Sequence, residues 1–173
     1  ERGYRGASVE RIASEINVTK GSFYHHLDAK DDLVLACFER SYDRVSTAQR
    51  MAIGMDGSYW QRIISTVASL LDLQFDETFP LLRTTAMQAL PVELRGAVVA
   101  RSNRMALRFA GMISDGMGEG SVRPVDPLIA SQSLMSMMNA AFELRKWSRG
   151  LPRDEAIAMY ASTIAFGLFE GPR

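Results

Sequence analysis

VTKGSFYHHLDAK, residues 18–30, carries both histidines of the chain, His25 and His26, side by side between Lys20 and Lys30. Its surroundings are helical in period. Val9, Ile12, Ala13 and Ile16 keep the i, i+3, i+4, i+7 spacing of one buried helix face, with Ser8 as N-cap. Asn17 can close that helix in a left-handed conformation. Thr19 is a second N-cap, opening a short helix whose inward residues are Phe23 and Leu27. Gly21 and His25 fall on its opposite side, flanked by Ser22 and Tyr24. Two helices a residue or two apart, the second very short, predict a helix-turn-helix, whose second helix enters a DNA major groove while the first braces it on the backbone.

Metal binding and catalysis explain the histidines less well. Adjacent helical side chains point about 100° apart, whereas one metal ion is served by i, i+4 spacing. No Glu-x-x-His or Cys-x-x-Cys pattern joins them. An acid–base role needs a pocket, an oriented acid and a nucleophile, and an outward-facing short helix offers none of these.

Composition sets wider bounds. The chain has 173 residues, 47% of them hydrophobic, which suits one folded domain or a small domain fused to a larger one. Its single cysteine, Cys37, excludes an intrachain disulfide and a cysteine-based zinc cluster, and fits a cytoplasmic location. No apolar run of membrane-spanning length and no signal-peptide pattern occurs. Lys+Arg and Asp+Glu balance at 20 each, so contact with DNA has to come from locally positioned cations. All ten methionines lie from Met51 onward; they read as ordinary helical core filler, and the asymmetry also suggests two parts with different tasks, residues 1–50 and residues 51–173.

Residues 1–34, ERGYRGASVERIASEINVTKGSFYHHLDAKDDLV, resemble the DNA-binding domain of the TetR/AcrR family of transcriptional regulators. The family pattern is met by Gly3, Tyr4, Ser8, Val9, Ile12, Ala13, Val18, Thr19, Lys20, Gly21, Tyr24, His26 and Lys30. It is departed from at Asn17 (for glycine), Phe23 (for leucine) and Leu27 (for phenylalanine). The two core exchanges nearly conserve volume between them. The resemblance implies that Tyr24, His26, Lys30 and Ser8 hydrogen-bond DNA phosphates. Lys20, Gly21, Ser22 and His25 would lie nearest the base edges, with Thr19 completing the set and Lys20 as the reader of a guanine. It also implies a first helix ahead of Gly3-Tyr4 that is missing from this chain. The visible residues 1–50 are neutral, eight Lys+Arg against eight Asp+Glu, so any basic surplus would sit in that arm.

The remaining periodicity predicts an all-α chain. A connecting helix runs from Asp31 to about Met51, and AIGMDGS (residues 52–58) breaks the pattern. Ser58 with Gln61 forms a capping box for a helix to about Phe75. Pro80 and Pro91 stand near the starts of the next two helices, the longer reaching about Met117. Asp126-Pro127 reads as N-cap and N1 of a helix to about Arg149, and Pro152 starts a last helix to Phe169.

Those last two helices are apolar around most of their circumference and need cover on more than one side. Leu134, Met135, Trp147, Ile157, Ile164 and Phe169 are accordingly expected in a two-fold homodimer interface. Trp60, Met87, Met105, Phe109, Met112, Met138 and Phe142 could line an effector pocket, with Arg83, Asn103 and Asn139 as polar anchors, although the same apolar set reads equally as packed core. By family analogy the effector is small and largely apolar, an acyl thioester or an aromatic compound, and no cofactor is implied. The function expected is a ligand-responsive repressor of an operator in double-stranded DNA. Two alternatives remain: a helical ligand carrier or interaction module without DNA binding, and an enzyme in a helical bundle. The second has little to work with, since residues 51–173 hold no histidine or cysteine and offer only carboxylates with Tyr59 and Tyr160.

Overall fold

Local capping chemistry sets where the helices begin. In the computed structural model, which describes residues 30–75, 81, 86, 87, 90–148 and 150–167, five α-helices follow one another: α1 Lys30–Ile53, α2 Tyr59–Phe75, α3 Val92–Gly118, α4 Pro127–Trp147 and α5 Arg153–Phe166. No strand occurs among the described residues. The Ser58–Gln61 box is formed as the sequence predicts. Ser58 N–H donates to Gln61 Oε1 at 2.9 Å, and Gln61 N–H donates back to Ser58 Oγ at 3.3 Å. Gly57, at φ 112°, is what allows it: a Cβ there would fall 2.4 Å from Gln61 Oε1.

The first turn of α2 contains no acidic residue. Glu119, from the loop after α3, supplies one by accepting the Tyr59 N–H, while Ser121 Oγ accepts the Trp60 N–H at 3.2 Å. The Ser121 hydroxyl and then the Tyr59 N–H hold the Glu119 carboxyl below the usual carboxylate range. At α4, Asp126 Oδ1 accepts from Leu128 N–H at 2.9 Å and Ile129 N–H at 2.8 Å, the predicted N-cap. Pro152 caps α5 without side-chain help. The last helix was expected to reach Phe169 but ends at Phe166, where Gly167 turns to φ 75° and donates its N–H to Thr163 O. Phe169, Pro80 and every residue of the expected helix-turn-helix before Lys30 lie outside the described residues.

Packing follows from these starts. The α1 helix lies against α2 and α3, α3 against α4, and α2 also against α4 and α5. Phe38, Val67, Leu71, Phe109 and Ala141 sit at the centre of one contiguous core. Two long-range hydrogen bonds fix α1 on α3. Tyr42 OH donates to Val98 O at 3.1 Å, and Gln49 Nε2 donates to Met105 O at 3.0 Å, each spanning 56 residues. Equal separations at two points mean that the helices run parallel and in register. Arg101 adds ion pairs to Glu39 (3.1 Å) and Asp43 (2.6 Å) on the exposed flank. Arg153 ties α5 to α2 through Asp72 at 2.7 Å, and the Tyr160 hydroxyl ties α5 to α4 through Met137 O.

Burial against α3 pushes the Tyr42 phenol up to about 12, from an ordinary value of 10. A raised folded-state value means that this stability is fully present below pH 10 and is lost as pH rises through about 12. Tyr42→Phe should cost about 0.5–1.5 kcal/mol at neutral pH. Urea melts should also show the variant losing less stability than the parent between pH 10 and 12, and equal losses would contradict this account.

Two glycines of α3 give a second test. A Cβ at Gly116 would meet Val122 Cγ2 at 2.5 Å and Tyr59 Cβ at 3.2 Å, whereas one at Gly96 meets nothing within 4 Å. Gly96→Ala should raise the melting temperature through helix propensity, by up to about 1 kcal/mol. Gly116→Ala should lower it by roughly 2–4 °C because overpacking outweighs that gain.

Candidate ligand cavity

The in-register contact of α1 and α3 leaves a partly enclosed space on one side. Tyr42 and Val45 of α1, Leu70 and Gln74 of α2, Ser102 and Met105 of α3, and Met135, Met138 and Asn139 of α4 surround a cavity of about 40 Å³, with Ser41 and Leu81 completing it. A vestibule of about 240 Å³ adjoins it, sharing Ser102, Met135 and Asn139 and adding Met87, Val99, Asn103, Ala106, Gln132 and Ser136. Together they form an apolar inner chamber walled by flexible thioethers and a more polar mouth, the usual division of labour in a small-molecule site.

Most polar groups of the inner chamber are already engaged. Ser41 Oγ donates to Cys37 O at 2.9 Å, Tyr42 OH to Val98 O, and Asn139 Nδ2 to Met135 O at 3.0 Å. Gln74, with the half-buried Ser102, is the exception. Gln74 is 3% exposed, lines the chamber, and its Oε1 is buried without a hydrogen-bond partner. An unsatisfied buried acceptor costs about 1–3 kcal/mol. Gln49 Oε1 is also unpartnered, but its Nε2 is committed to Met105 O and it does not border the chamber.

Beyond Met105, on the other flank of α1 and α3, a recess of about 190 Å³ is lined by Ser46, Arg50, Arg101, Arg104 and Arg108 with Asp43. Arg101 is engaged by its two carboxylates and Arg50 donates to Thr47 Oγ1 at 3.1 Å, whereas Arg104 and Arg108 have no carboxylate partner among the described residues. An i, i+4 pair of like charges is mildly repulsive until an anion joins it. A larger groove, about 1200 Å³, lies between α1, α2 and α5, with Arg40, Asp43, Arg44, Asp72 and Asp154 among its walls beside Met51, Met55 and Ile157. That groove is more open to solvent than the chamber and mixes charged with apolar walls.

The structure sorts the expected pocket residues into three groups. Met105, Met138 and Asn139 line the inner chamber, and Met87, Asn103 and Asn139 the vestibule. Trp60 lies elsewhere, its ring 6.2 Å from that of Phe166, while Phe109 and Met112 are packed core. Arg83 and the Phe142 side chain are outside the described residues. The expected list omitted Tyr42, Leu70, Gln74 and Ser102. Buried polar positions on otherwise apolar helix stripes were the signal available for Tyr42 and Gln74.

The expected interface residues divide as well. Leu134 and Ile157 are buried in the subunit's own core, Met135 is a wall of the chamber, and Ile164 is half-buried. The Trp147 side chain and Phe169 are outside the described residues. Among the described residues, the large apolar side chains that α4 and α5 leave exposed are Leu128, Ile129 (69% exposed), Met159 (57%) and Phe166 (73%). Of the expected DNA contacts, Ser8, Thr19, Lys20, Gly21, Ser22, Tyr24, His25 and His26 precede the described residues, and Lys30 opens α1. Among the described residues no cluster of His, Cys, Asp or Glu could hold a metal ion, and no helix is long and apolar enough to cross a membrane.

Comparison with known proteins points the same way. Residues 1–37 match the family described as bacterial regulatory proteins, tetR family, and residues 56–149 match the tetracyclin repressor-like C-terminal domain. The HTH-type transcriptional activator FasR of Mycolicibacterium smegmatis is 31% identical over 72 residues, which is 42% of this chain and 33% of that protein. Matches to curated relatives span 16–33% of those proteins' length. Solved structures agree over the whole fold. AibR in complex with isovaleryl coenzyme A and operator DNA superposes with a TM-score of 0.77 at 24% identity, covering 97% of this chain and 91% of that one. FadR from Bacillus subtilis in complex with stearoyl-CoA gives 0.77 at 13% identity, covering 97% and 92%.

Proposed function

The chain belongs to the tetR family of bacterial regulatory proteins, and from that we propose that it is a ligand-responsive DNA-binding transcriptional regulator, a repressor released from its operator by a small, largely apolar effector. The observation that supports this reading most is one of connectivity. A stretch matched to the family's DNA-binding part, residues 1–37, is joined by the unbroken helix α1 to a methionine-lined chamber. A ligand carrier without DNA contacts would have no use for that join. We divide the chain near Met51, with the DNA-binding unit and its connecting helix before it, and assign the protein to the cytoplasm, where its operator is.

In the head, Lys20, Gly21, Ser22 and His25 with Thr19 face the base edges, while Ser8, Tyr24, His26 and Lys30 fix the register on phosphates. Two heads are needed to read half-sites about one helical turn apart, so the protein acts as a homodimer. Met159 and Phe166 on α5 and Ile129 on α4 are the apolar surface such a dimer would cover. In the sensor, an acyl thioester of a nucleotide coenzyme fits the chemistry. The acyl group suits the vestibule walled by Met87 and Met135, with its tip in the chamber at Met105 and Met138. The coenzyme A thioesters held by AibR and FadR support this choice of ligand class.

The mechanism follows from where the chamber sits. Tyr42 is both a wall of the chamber and a tie between α1 and α3, so a ligand that displaces it changes the angle of α1. Lys30 lies roughly 18 Å further along the helix at 1.5 Å per residue, so a small tilt at Tyr42 becomes a larger change in head spacing. Release from DNA is then set by the effector's differential affinity for the two spacings.

Gel shifts against the source genome's own upstream regions test the reading. Wild-type protein should retain a preferred site at low salt, and Lys20→Ala should weaken it by about 1–3 kcal/mol, roughly 5- to 150-fold. No preferred site would refute DNA regulation. For the dimer, Met159→Asp should shift the sedimentation coefficient to that of a monomer and remove operator binding together with it. A variant that stays dimeric would rule out this surface.

A further inference from the structure

We propose that Gln74 selects among effectors, its side-chain carbonyl accepting a hydrogen bond from a donor, a hydroxyl or amide N–H, carried on the otherwise apolar part of the ligand that enters the inner chamber. The inference rests on the chamber being the effector site, as proposed above. It begins from the position of Gln74 on α2, where Ile63, Val67, Leu70 and Leu71 mark the buried stripe that Gln74 continues. Any apolar residue of similar size would complete that stripe. Thr66, another polar residue buried on this helix, satisfies itself by donating to Arg62 O at 2.8 Å. Gln74 Oε1 has no such partner.

The chamber walls do not supply one. Ser41, Tyr42 and the Asn139 amide all border the same space, and each donates to a backbone carbonyl of a helix instead, while Ser102, the remaining polar wall, makes no bond to Gln74 Oε1. A donor for Gln74 therefore has to arrive with whatever fills the chamber. At about 40 Å³ the inner chamber takes one small polar group or one water, and the remainder of a ligand extends into the vestibule of about 240 Å³ through Ser102, Met135 and Asn139. Native proteins retain few buried acceptors without partners. One retained beside a cavity, on a stripe where leucine would fit, marks the cavity's contents as its partner.

Two matched ligand pairs test this on the full chain. Butyryl-CoA and 3-hydroxybutyryl-CoA differ by one hydroxyl and probe the thioester reading, while methylcyclohexane and cyclohexanol exchange a methyl for a hydroxyl and probe the chamber and vestibule without a thioester. In at least one pair the hydroxylated member should bind about tenfold more tightly, a difference of 1.4 kcal/mol. Gln74→Leu and Gln74→Met should erase that ratio while raising the melting temperature of the unliganded protein by roughly 2–4 °C. If only the free cyclohexyl pair binds and discriminates, the role of Gln74 stands and the thioester is the wrong effector class. Equal binding within both pairs, a ratio unchanged in the variants, or no binding by either pair overturns the assignment. A variant that is more stable but equally selective would show that Gln74 had been satisfied by water alone.

Discussion

The parallel, in-register contact between α1 and α3 is the constraint on which the rest of the molecule depends. It is made by two side chains donating to helix carbonyls, Tyr42 to Val98 and Gln49 to Met105, both deep in the protein. Those carbonyls also belong to the i→i+4 ladder of α3, so each bond is an additional contact at a fixed axial position and not a substitute for a helical one. The position is specified twice, seven residues apart on both helices. A slide by one residue would break both bonds and leave Gln49, 0% exposed, wholly unsatisfied. The ion pairs from Arg101 to Glu39 and Asp43 lie on the exposed flank, where salt and solvent reduce such pairs to about 0–1 kcal/mol. Buried amide and phenol groups therefore fix the register, and the charges reinforce it.

Fixing the register also determines what can fill the space beside it. With α1 and α3 locked, α2 and α4 close over the gap with leucine and methionine side chains, and a chamber remains because the polar residues at its edge stop short of one another. Methionine walls allow a change of shape on binding without a defined alternative packing, which suits a ligand that has to deform its host in order to act. The Arg50, Arg104 and Arg108 recess lies across the same contact, with Met105 shared between the two spaces.

How much of this was legible in the sequence depended on the range of the interaction. Contacts between near neighbours could be read: the Ser58–Gln61 box, the Asp126 cap before Pro127, the break after the connecting helix, and the short-range pattern of Gly3 to Lys30 that names the family. Periodicity also showed which residues face inward. It could not show which inward face meets which other. Met105, Phe109 and Met112 occupy one stripe of α3 and are equally apolar, yet only Met105 reaches the chamber, because that distinction depends on where Gln49 and Met135 stand. Trp60 was drawn away by Phe166, more than a hundred residues later. The same limit explains Met135, Leu134 and Ile157. A helix apolar on most sides must be covered, but its sequence does not divide the cover between its own subunit and a second one.

That division matters for how a signal could travel. Leu134, Met135 and Met138 turn one side of α4 toward the core and the chamber, while Ile129 remains on the surface a partner would cover. In a symmetric dimer, a ligand pressing on Met135 would be resisted by the paired α4 and α5 helices, because the two-fold axis holds them in place. The opposite wall, α1 at Tyr42, is held by hydrogen bonds whose net worth is about 0.5–1.5 kcal/mol each. If the chamber takes the effector, the α1 side would be the weaker of the two walls, and strain introduced there would relax toward the helix that continues from the stretch matched to the family's DNA-binding part. The coupling available is bounded by the same figure: a few such bonds amount to about 1–3 kcal/mol, the usual size of an allosteric coupling and enough for roughly a 5- to 150-fold change in operator affinity.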